Sequence, residues 1–386
     1  MEDLRKQVFN SATGGALPPR PMPSQMVPTT YHKSVDRNTP SSNSGAIKKR
    51  RRDYSPLQWS DYFDQYKDVT LDNSQNVFRV YKLGTRGPVL YFLHGGGHSA
   101  LSWALLAKAL VQKCKVRIVA VDLRGHANFS GMTRTDDDYN LSTETQISDI
   151  AGVHKELFDD QPPTVLVGHS MGGALAVHTA YKRLIPSLVG LVVIDVVEGT
   201  ALDALSAMQN VLRNRPSYFN SIESAIEWNF RSGQTHNLES ARVSVPAQLK
   251  ICDNCNTTTE VKDSNTIVEE NEDADLEDAS QPTSSRSDNT VKYTWVIDLC
   301  KTECYWREWF EELSSKFLAC PGPKLLLLAG VDRLDKNLTI AQMQGKFQMQ
   351  VLSQCGHLMQ EDVPDKVANA LHSFLIRNRI INTNNK

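Results

Sequence analysis

Short apolar-rich runs alternate along this chain with longer segments in which apolar positions recur every three or four residues. The runs cover 77–82, 89–93, 116–121, 164–167, 188–194, 324–329 and 347–352. Runs of this length between polar turns predict strands, most of them buried on both faces. Helical spacing covers 103–111, 144–158, 172–183 and 365–377. Strand followed by helix, repeated, predicts an α/β fold with a mostly parallel central sheet flanked by helices. The rhythm breaks after Asp195. Amphipathic runs at 201–213 and 221–231, carrying Met208, Tyr218, Phe219 and Trp228, predict a helical cap inserted at about 197–320.

Composition then marks what lies outside that pattern. Residues 1–53 are rich in Pro, Ser, Asn and Thr and end in Lys48-Lys-Arg-Arg-Arg52, which predicts a disordered tail with a basic cluster. The cluster reads as a nuclear import signal or as a solvated charge run. Residues 54–386 form the predicted folded domain, anchored at its start by Trp59, Tyr62 and Phe63. Inside the cap, 256–291 contains Glu269-Glu-Asn-Glu-Asp-Ala-Asp-Leu-Glu-Asp278 and a Ser-rich stretch, and is expected to be a disordered acidic loop. Trp306, Trp309 and Phe310, at helical spacing, are expected to pack the cap.

A net charge of -2 argues against general binding to nucleic acid or to a membrane surface. Neither a secretory signal nor a bilayer-length apolar stretch is seen, so a soluble intracellular protein is expected. Seven cysteines without secretory context are expected to be reduced thiols, in preference to a zinc site built from Cys252, Cys255, Cys300 and Cys304.

Candidate chemistry enters where the 164–167 run feeds Gly168-His169-Ser170-Met171-Gly172-Gly173. An apolar run, G-x-S-x-G and a small-residue helix make the pattern of a nucleophile elbow. Ser170 on such a turn presents its hydroxyl to open space, and Gly168 and Gly172 lack the side chains that would collide there. Upstream, the 89–93 run empties into His94-Gly95-Gly96-Gly97-His98. Successive glycines let the main chain aim its amides at a ligand, so an oxyanion hole is expected from the N–H of Gly96 or Gly97 with that of Met171. Downstream, the 347–352 run leads to Cys355-Gly356-His357. His357 is the expected general base, because imidazole titrates near neutrality and follows the serine in chain order. His94, His98, His169, His178 and His372 read as structural. For the acid, Asp195 closes one strand run and Asp332 and Asp335 follow another; the pattern leaves both open. The loop from Asp122 to His126 reads as structural or pocket-lining.

Several of these segments together resemble a known family. They are Leu93-His-Gly-Gly-Gly-His-Ser-Ala-Leu-Ser-Trp103, Val167-Gly-His-Ser-Met-Gly-Gly-Ala174, Val193-Ile-Asp-Val-Val-Glu-Gly-Thr-Ala201, Leu327-Leu-Ala-Gly-Val-Asp-Arg-Leu-Asp-Lys336 and Met343-Gln-Gly-Lys-Phe-Gln-Met-Gln-Val-Leu352. Over about 54–377 the chain resembles the protein phosphatase methylesterases of the α/β-hydrolase superfamily. The resemblance implies an α/β-hydrolase fold with an inserted cap. It also implies a serine carboxylesterase that demethylates the C-terminal leucine of the protein phosphatase 2A catalytic subunit, its substrate and partner. The triad would be Ser170, Asp195 and His357, with no cofactor and no metal, and residence in nucleus and cytoplasm is expected. A small-ester or lipid esterase and a phosphatase-binding inhibitory protein are the alternatives. The chain departs from the family's form at Leu358-Met-Gln-Glu-Asp362.

Overall fold

The computed structural model describes residues 52–72, 74–126, 133–252, 291–330 and 334–382. In chain order the strands are β1 (Gln65–Thr70), β2 (Val77–Leu83), β3 (Val89–Leu93), β4 (Arg117–Val121), β5 (Thr164–His169), β6 (Leu188–Ile194), β7 (Leu249–Ile251), β8 (Tyr293–Trp295), β9 (Lys324–Leu328) and β10 (Gln348–Val351). Eight of them form one sheet in the order β1-β2-β4-β3-β5-β6-β9-β10. From β4 to β10 every neighbouring pair is parallel, and β1 and β2 add an antiparallel margin.

Burial explains why these strands read as apolar runs. Every residue of β3, β5 and β9 is buried. Alternate side chains leave opposite faces of a strand. Tyr91, Leu166, Val193 and Leu326 accordingly join one core cluster, and Phe92, Val167, Val192 and Leu325 join the other. Each fully buried side chain of this size contributes roughly 1.5–3 kcal/mol. An exposed pair such as Arg231–Glu227 contributes about 0–1 kcal/mol. Apolar faces, not surface charge, therefore set the register.

The helices α1 (Ala104–Val111), α2 (Thr143–Leu157), α3 (Met171–Tyr181) and α11 (Pro364–Arg377) flank the sheet. Between β6 and β9 the chain runs through α4 (Glu198–Arg213), α5 (Ile222–Arg231), α6 (Leu238–Ser244), the β7–β8 pair, α7 (Glu303–Phe310) and α8 (Leu313–Ala319). Two short helices, α9 (Lys336–Met343) and α10 (Met359–Asp362), complete the elements. Ser221 starts α5 with a capping box: its side chain accepts from Ser224 N–H while the Ser224 hydroxyl accepts from Ser221 N–H. Phe219, Ala225, Ile226, Ala241, Val245 and Leu249 make a small core of their own in this excursion. No helix among the described residues is long and apolar enough to cross a membrane.

Some elements differ from the sequence reading. Strand β1 buries only Val69, so as an edge strand it leaves no apolar alternation to read. Strands β7 and β8 have three residues each and come from distant segments, which no hairpin signal marks. Trp306, Trp309 and Phe310 join the sheet-side core rather than the small cap core, with Trp309 Nε1 donating to Leu141 O at 2.8 Å. Cys252 is disulfide-bonded, contrary to the expectation of reduced thiols, and its partner lies outside the described residues. Cys114, Cys300, Cys304 and Cys320 are free thiols. The tail through residue 51, nearly all of the acidic loop, Asp332 and Arg333 also lie outside the described residues.

Candidate active site

Ser170 joins β5 to α3 with φ 53° and ψ -122°. A serine avoids this backbone region, which costs on the order of 1–3 kcal/mol and persists where surrounding packing enforces it. Here the enforcement is visible. A β-carbon on Gly168 would sit 2.1 Å from Gly172 O, and one on Gly172 would sit 2.3 Å from Leu93 O. Only glycine permits the strand end and the helix start to approach this closely. The Ser170 hydroxyl does not cap α3, although the residue occupies the N-cap position.

Asp195, just beyond β6, is the second strand-end residue held at positive φ, 54°. Its carboxylate is buried. Oδ1 accepts from Ala329 N–H at 2.9 Å, and Oδ2 lies 2.8 Å from Nδ1 of His357. Asp335 does different work: it caps α9 by accepting from Leu338 N–H at 2.8 Å, and it accepts from the Ser314 hydroxyl. Of the described strand-end carboxylates, Asp195 reaches the imidazole.

His357 sits in the loop after β10 and is half exposed, at 49% of its side chain. Its loop is pinned from two sides. Gly356 N–H donates to Asp362 Oδ2 at 2.7 Å, and His169 Nε2 donates to the carbonyl of His357 at 2.9 Å. Asp362 also accepts from His236 N–H at 2.7 Å, so one carboxylate joins the histidine loop to the cap. His357, Ser170 and Asp195 line one cavity of about 490 Å³. Thr200, Ala201, Ala204, Met208 and Val211 of α4 form its apolar wall. The structure records no hydrogen bond between the Ser170 hydroxyl and the imidazole. Such bonds are often long until substrate binds.

The glycine loop is braced by two histidines whose rings meet edge to face, 4.9 Å between centroids. His94 bonds the carbonyl of Gly95 through Nδ1 at 2.8 Å and accepts from Leu123 N–H through Nε2 at 3.0 Å. His126 bonds the carbonyl of Arg124 through Nδ1 at 2.8 Å and accepts from Gly97 N–H through Nε2 at 2.8 Å. The Gly97 amide is thus already engaged. Of the two glycines named as oxyanion donors, Gly96 is the one left for that role beside Met171, whose Sδ is 3.7 Å from where a Gly96 β-carbon would stand.

Both braces require neutral imidazoles, because each Nε2 is an acceptor. Burial pulls His126 down to about 4 and holds His94 well below the ordinary histidine range. Burial does the same to His169, helped by the neighbouring His357 and His98 rings. Asp122 adds a third tie, accepting from Ala100 N–H at 2.7 Å. Burial pushes its carboxyl up to about 7.

Of these supports, the sequence pattern read His169 as structural and the loop holding His126 as structural or pocket-lining, and gave Asp362 no role. One signal was present: the acidic pair that follows His357 in sequence includes the residue that fixes its loop. Among the described residues, no group of three or more His, Cys, Asp or Glu side chains could hold a metal ion.

Comparison with known proteins places this geometry in a family. The alpha/beta hydrolase family matches residues 90–370. The chain is 54% identical to protein phosphatase methylesterase 1 of Bos taurus over 339 residues, covering 86% of this chain and 88% of that one. It is 54% identical to the Homo sapiens protein of the same name, covering 86% and 87%. The Schizosaccharomyces pombe protein of that name is 36% identical over 83% of this chain and 85% of its own. Among solved structures, E-2-(acetamidomethylene)succinate hydrolase superposes with a TM-score of 0.58 at 18% identity, over 81% of this chain and 99% of its own. That likeness speaks to the fold alone. With its sheet order, strand-end residues and extended identity to these relatives, the chain belongs to the protein phosphatase methylesterase family of α/β hydrolases.

Proposed function

We propose that this methylesterase removes the methyl ester from the C-terminal leucine of the protein phosphatase 2A catalytic subunit, through an acyl-enzyme on Ser170. The observation that carries the reading is the convergence of Ser170 and the Asp195-bound His357 on one apolar cavity, in a chain of this family. His357 takes the Ser170 proton as the oxygen attacks the ester carbonyl. The N–H groups of Gly96 and Met171 receive the oxyanion, and the N-terminus of α3 favours the negative charge there. His357 then protonates methoxide, which leaves as methanol. Water repeats the sequence on the acyl-serine, releasing a free carboxylate and restoring Ser170.

Asp195 holds His357 through Nδ1, keeping Nε2 available for the serine proton. The positive charge that the ring gains is offset by the buried carboxylate. A methyl leaving group needs almost no pocket, so recognition must come from the acyl side. The alanine-rich face of α4 suits an aliphatic side chain such as leucine, with further contacts spread over the protein surface. Docking of the phosphatase would bring Ser170 and His357 into hydrogen-bond contact. Residence in nucleus and cytoplasm belongs to the same proposal, with the cluster from Lys48 to Arg52 as its basis.

The test offers purified protein the methylated catalytic subunit and a small activated ester side by side. Methanol release from the subunit, falling roughly 10⁶-fold in Ser170→Ala, supports the reading. Hydrolysis of the small ester alone would favour a metabolic esterase. A stable complex without methanol release would favour an inhibitory binding protein.

A further inference from the structure

Arg215, just past the end of α4, is a largely buried cation that no carboxylate among the described residues answers. Its Nε is sealed from solvent and has no hydrogen-bond acceptor. The guanidinium lies 3.6 Å from the centre of the Trp295 ring. That ring is itself fixed: Trp295 Nε1 donates to Pro216 O at 2.8 Å, and Phe219 and Trp228 meet it at 5.4 and 5.8 Å between centroids. The cation therefore rests on a built shelf. Burial lowers its pKa to about 10, which leaves it charged at neutral pH.

A buried charge without a partner is expensive, and an aromatic face returns only part of that cost. Proteins keep such groups where a ligand supplies the partner. The position of Arg215 indicates which ligand. Its Nη1 is 3.6 Å from where a Gly97 β-carbon would stand, and the corresponding point on Gly95 is 3.3 Å from Ser170 Cβ. Gly95 and Gly97 are two residues apart, at most about 7.6 Å between α-carbons. Arg215 thus stands a short length of extended chain from the nucleophile, beside the glycine loop rather than at the reacting carbon. A second orphaned atom, the buried Nδ1 of His98, lies within the field of the same cation.

We infer that Arg215 is a receptor for a carboxylate side chain of the substrate polypeptide, placed a few residues before the esterified C-terminus. The inference rests on the reading of the substrate as a methyl-esterified protein tail. The planar guanidinium fork matches a carboxylate in two hydrogen bonds, which an ammonium cannot do. A neutral ester at Ser170 and an acid at Arg215 would fix both the register and the direction of the tail. An uncharged small ester would gain nothing from Arg215.

The test uses the full chain with Ser170→Ala, so that ligands bind without turning over. Fluorescent peptides ending in leucine methyl ester carry Asp, or Asn as its neutral match, at each of the four positions before the leucine. Affinity is read by anisotropy. At one register the Asp peptide is expected to bind about 10- to 100-fold more tightly than the Asn peptide. Arg215→Met should erase that preference and Arg215→Lys should keep part of it, with circular dichroism verifying that both variants fold. An equal preference in Arg215→Met, or no preference at any register while the peptides bind, overturns the inference. If no peptide binds but the methylated catalytic subunit is processed, the same acid-to-amide changes are made in its tail and read through KM. If neither peptide nor subunit is recognised, the parent reading of the substrate fails instead.

Discussion

Arg79 and Arg124, on the sheet side, meet carboxylates in two-bond contacts, whereas Arg215, in the cap, stacks on Trp295 and meets none among the described residues. Arg79 holds Asp68 through Nε and Nη2 at 2.7 and 2.8 Å. Arg124 holds Asp149 at 2.7 and 3.1 Å and Asp136 at 2.6 Å. Burial alone would lower both guanidinium pKa values, yet pairing raises them. At Arg215 burial acts unopposed by any carboxylate and the value falls. These two sheet-side guanidiniums meet their carboxylates before any ligand arrives, and Arg215 meets none among the described residues.

The largest effect should come from breaking a finished contact at the sheet edge. Asp195→Asn keeps the shape but removes the charge and offers His357 the wrong hydrogen-bond pattern. Turnover should fall about 10⁴-fold with the fold retained. Single-turnover methanol release measures it, and a loss below tenfold would mean that another carboxylate serves the imidazole.

Stability sharpens the contrast. Arg124→Met would strand the buried Asp149 carboxylate, at a cost of about 3–5 kcal/mol. Arg215→Met removes a largely buried charge that meets no carboxylate among the described residues, so the protein should lie within about 1 kcal/mol of the parent or be more stable. Urea unfolding of the two variants gives both numbers. Equal destabilisation would show that Arg215 is as fully paired as Arg124.

A smaller effect is expected from the brace on the glycine loop. His126→Phe removes the acceptor of Gly97 N–H, and kcat should fall about 10- to 100-fold with KM little changed. This residue also leaves a trace in acid. Its pKa is about 4 in the fold and about 6.5 when unfolded, so between those values the unfolded chain binds the extra proton. Its contribution to stability is therefore present above about pH 6.5 and is lost as pH falls toward 4. The buried carboxyls of Asp122, near 7, and Glu361, near 8, act in the opposite sense: stability they lend at low pH is lost as pH rises through those values. The difference between parent and His126→Phe isolates the histidine. Over this window the variant should lose stability less steeply on acidification, by up to one proton in the slope of urea-unfolding free energy against pH.

Much of the fold was legible because its information is local. A strand buried on both faces must be apolar throughout, so β3, β5, β6 and β9 announce themselves. The elbow is legible for a related reason: a tight strand-to-helix turn excludes β-carbons, and Gly168 and Gly172 record that exclusion. Edge strand β1 leaves no such record because it buries only Val69, and the β7–β8 pair leaves none because it joins two three-residue strands far apart in the chain.

What the sequence determined by itself is the buried strands of the sheet, the serine on its turn, the glycine loop and the histidine beyond the last strand. Apolar burial and steric exclusion act residue by residue, so these features are written in short stretches. Short-range pattern left open, and the tertiary structure decided, which carboxylate approaches His357, that His126 occupies Gly97 and leaves Gly96, and that Arg215 faces no acid among the described residues. Each of those outcomes is a contact between segments far apart in the chain, set by strand order and loop packing, which short-range patterns do not encode.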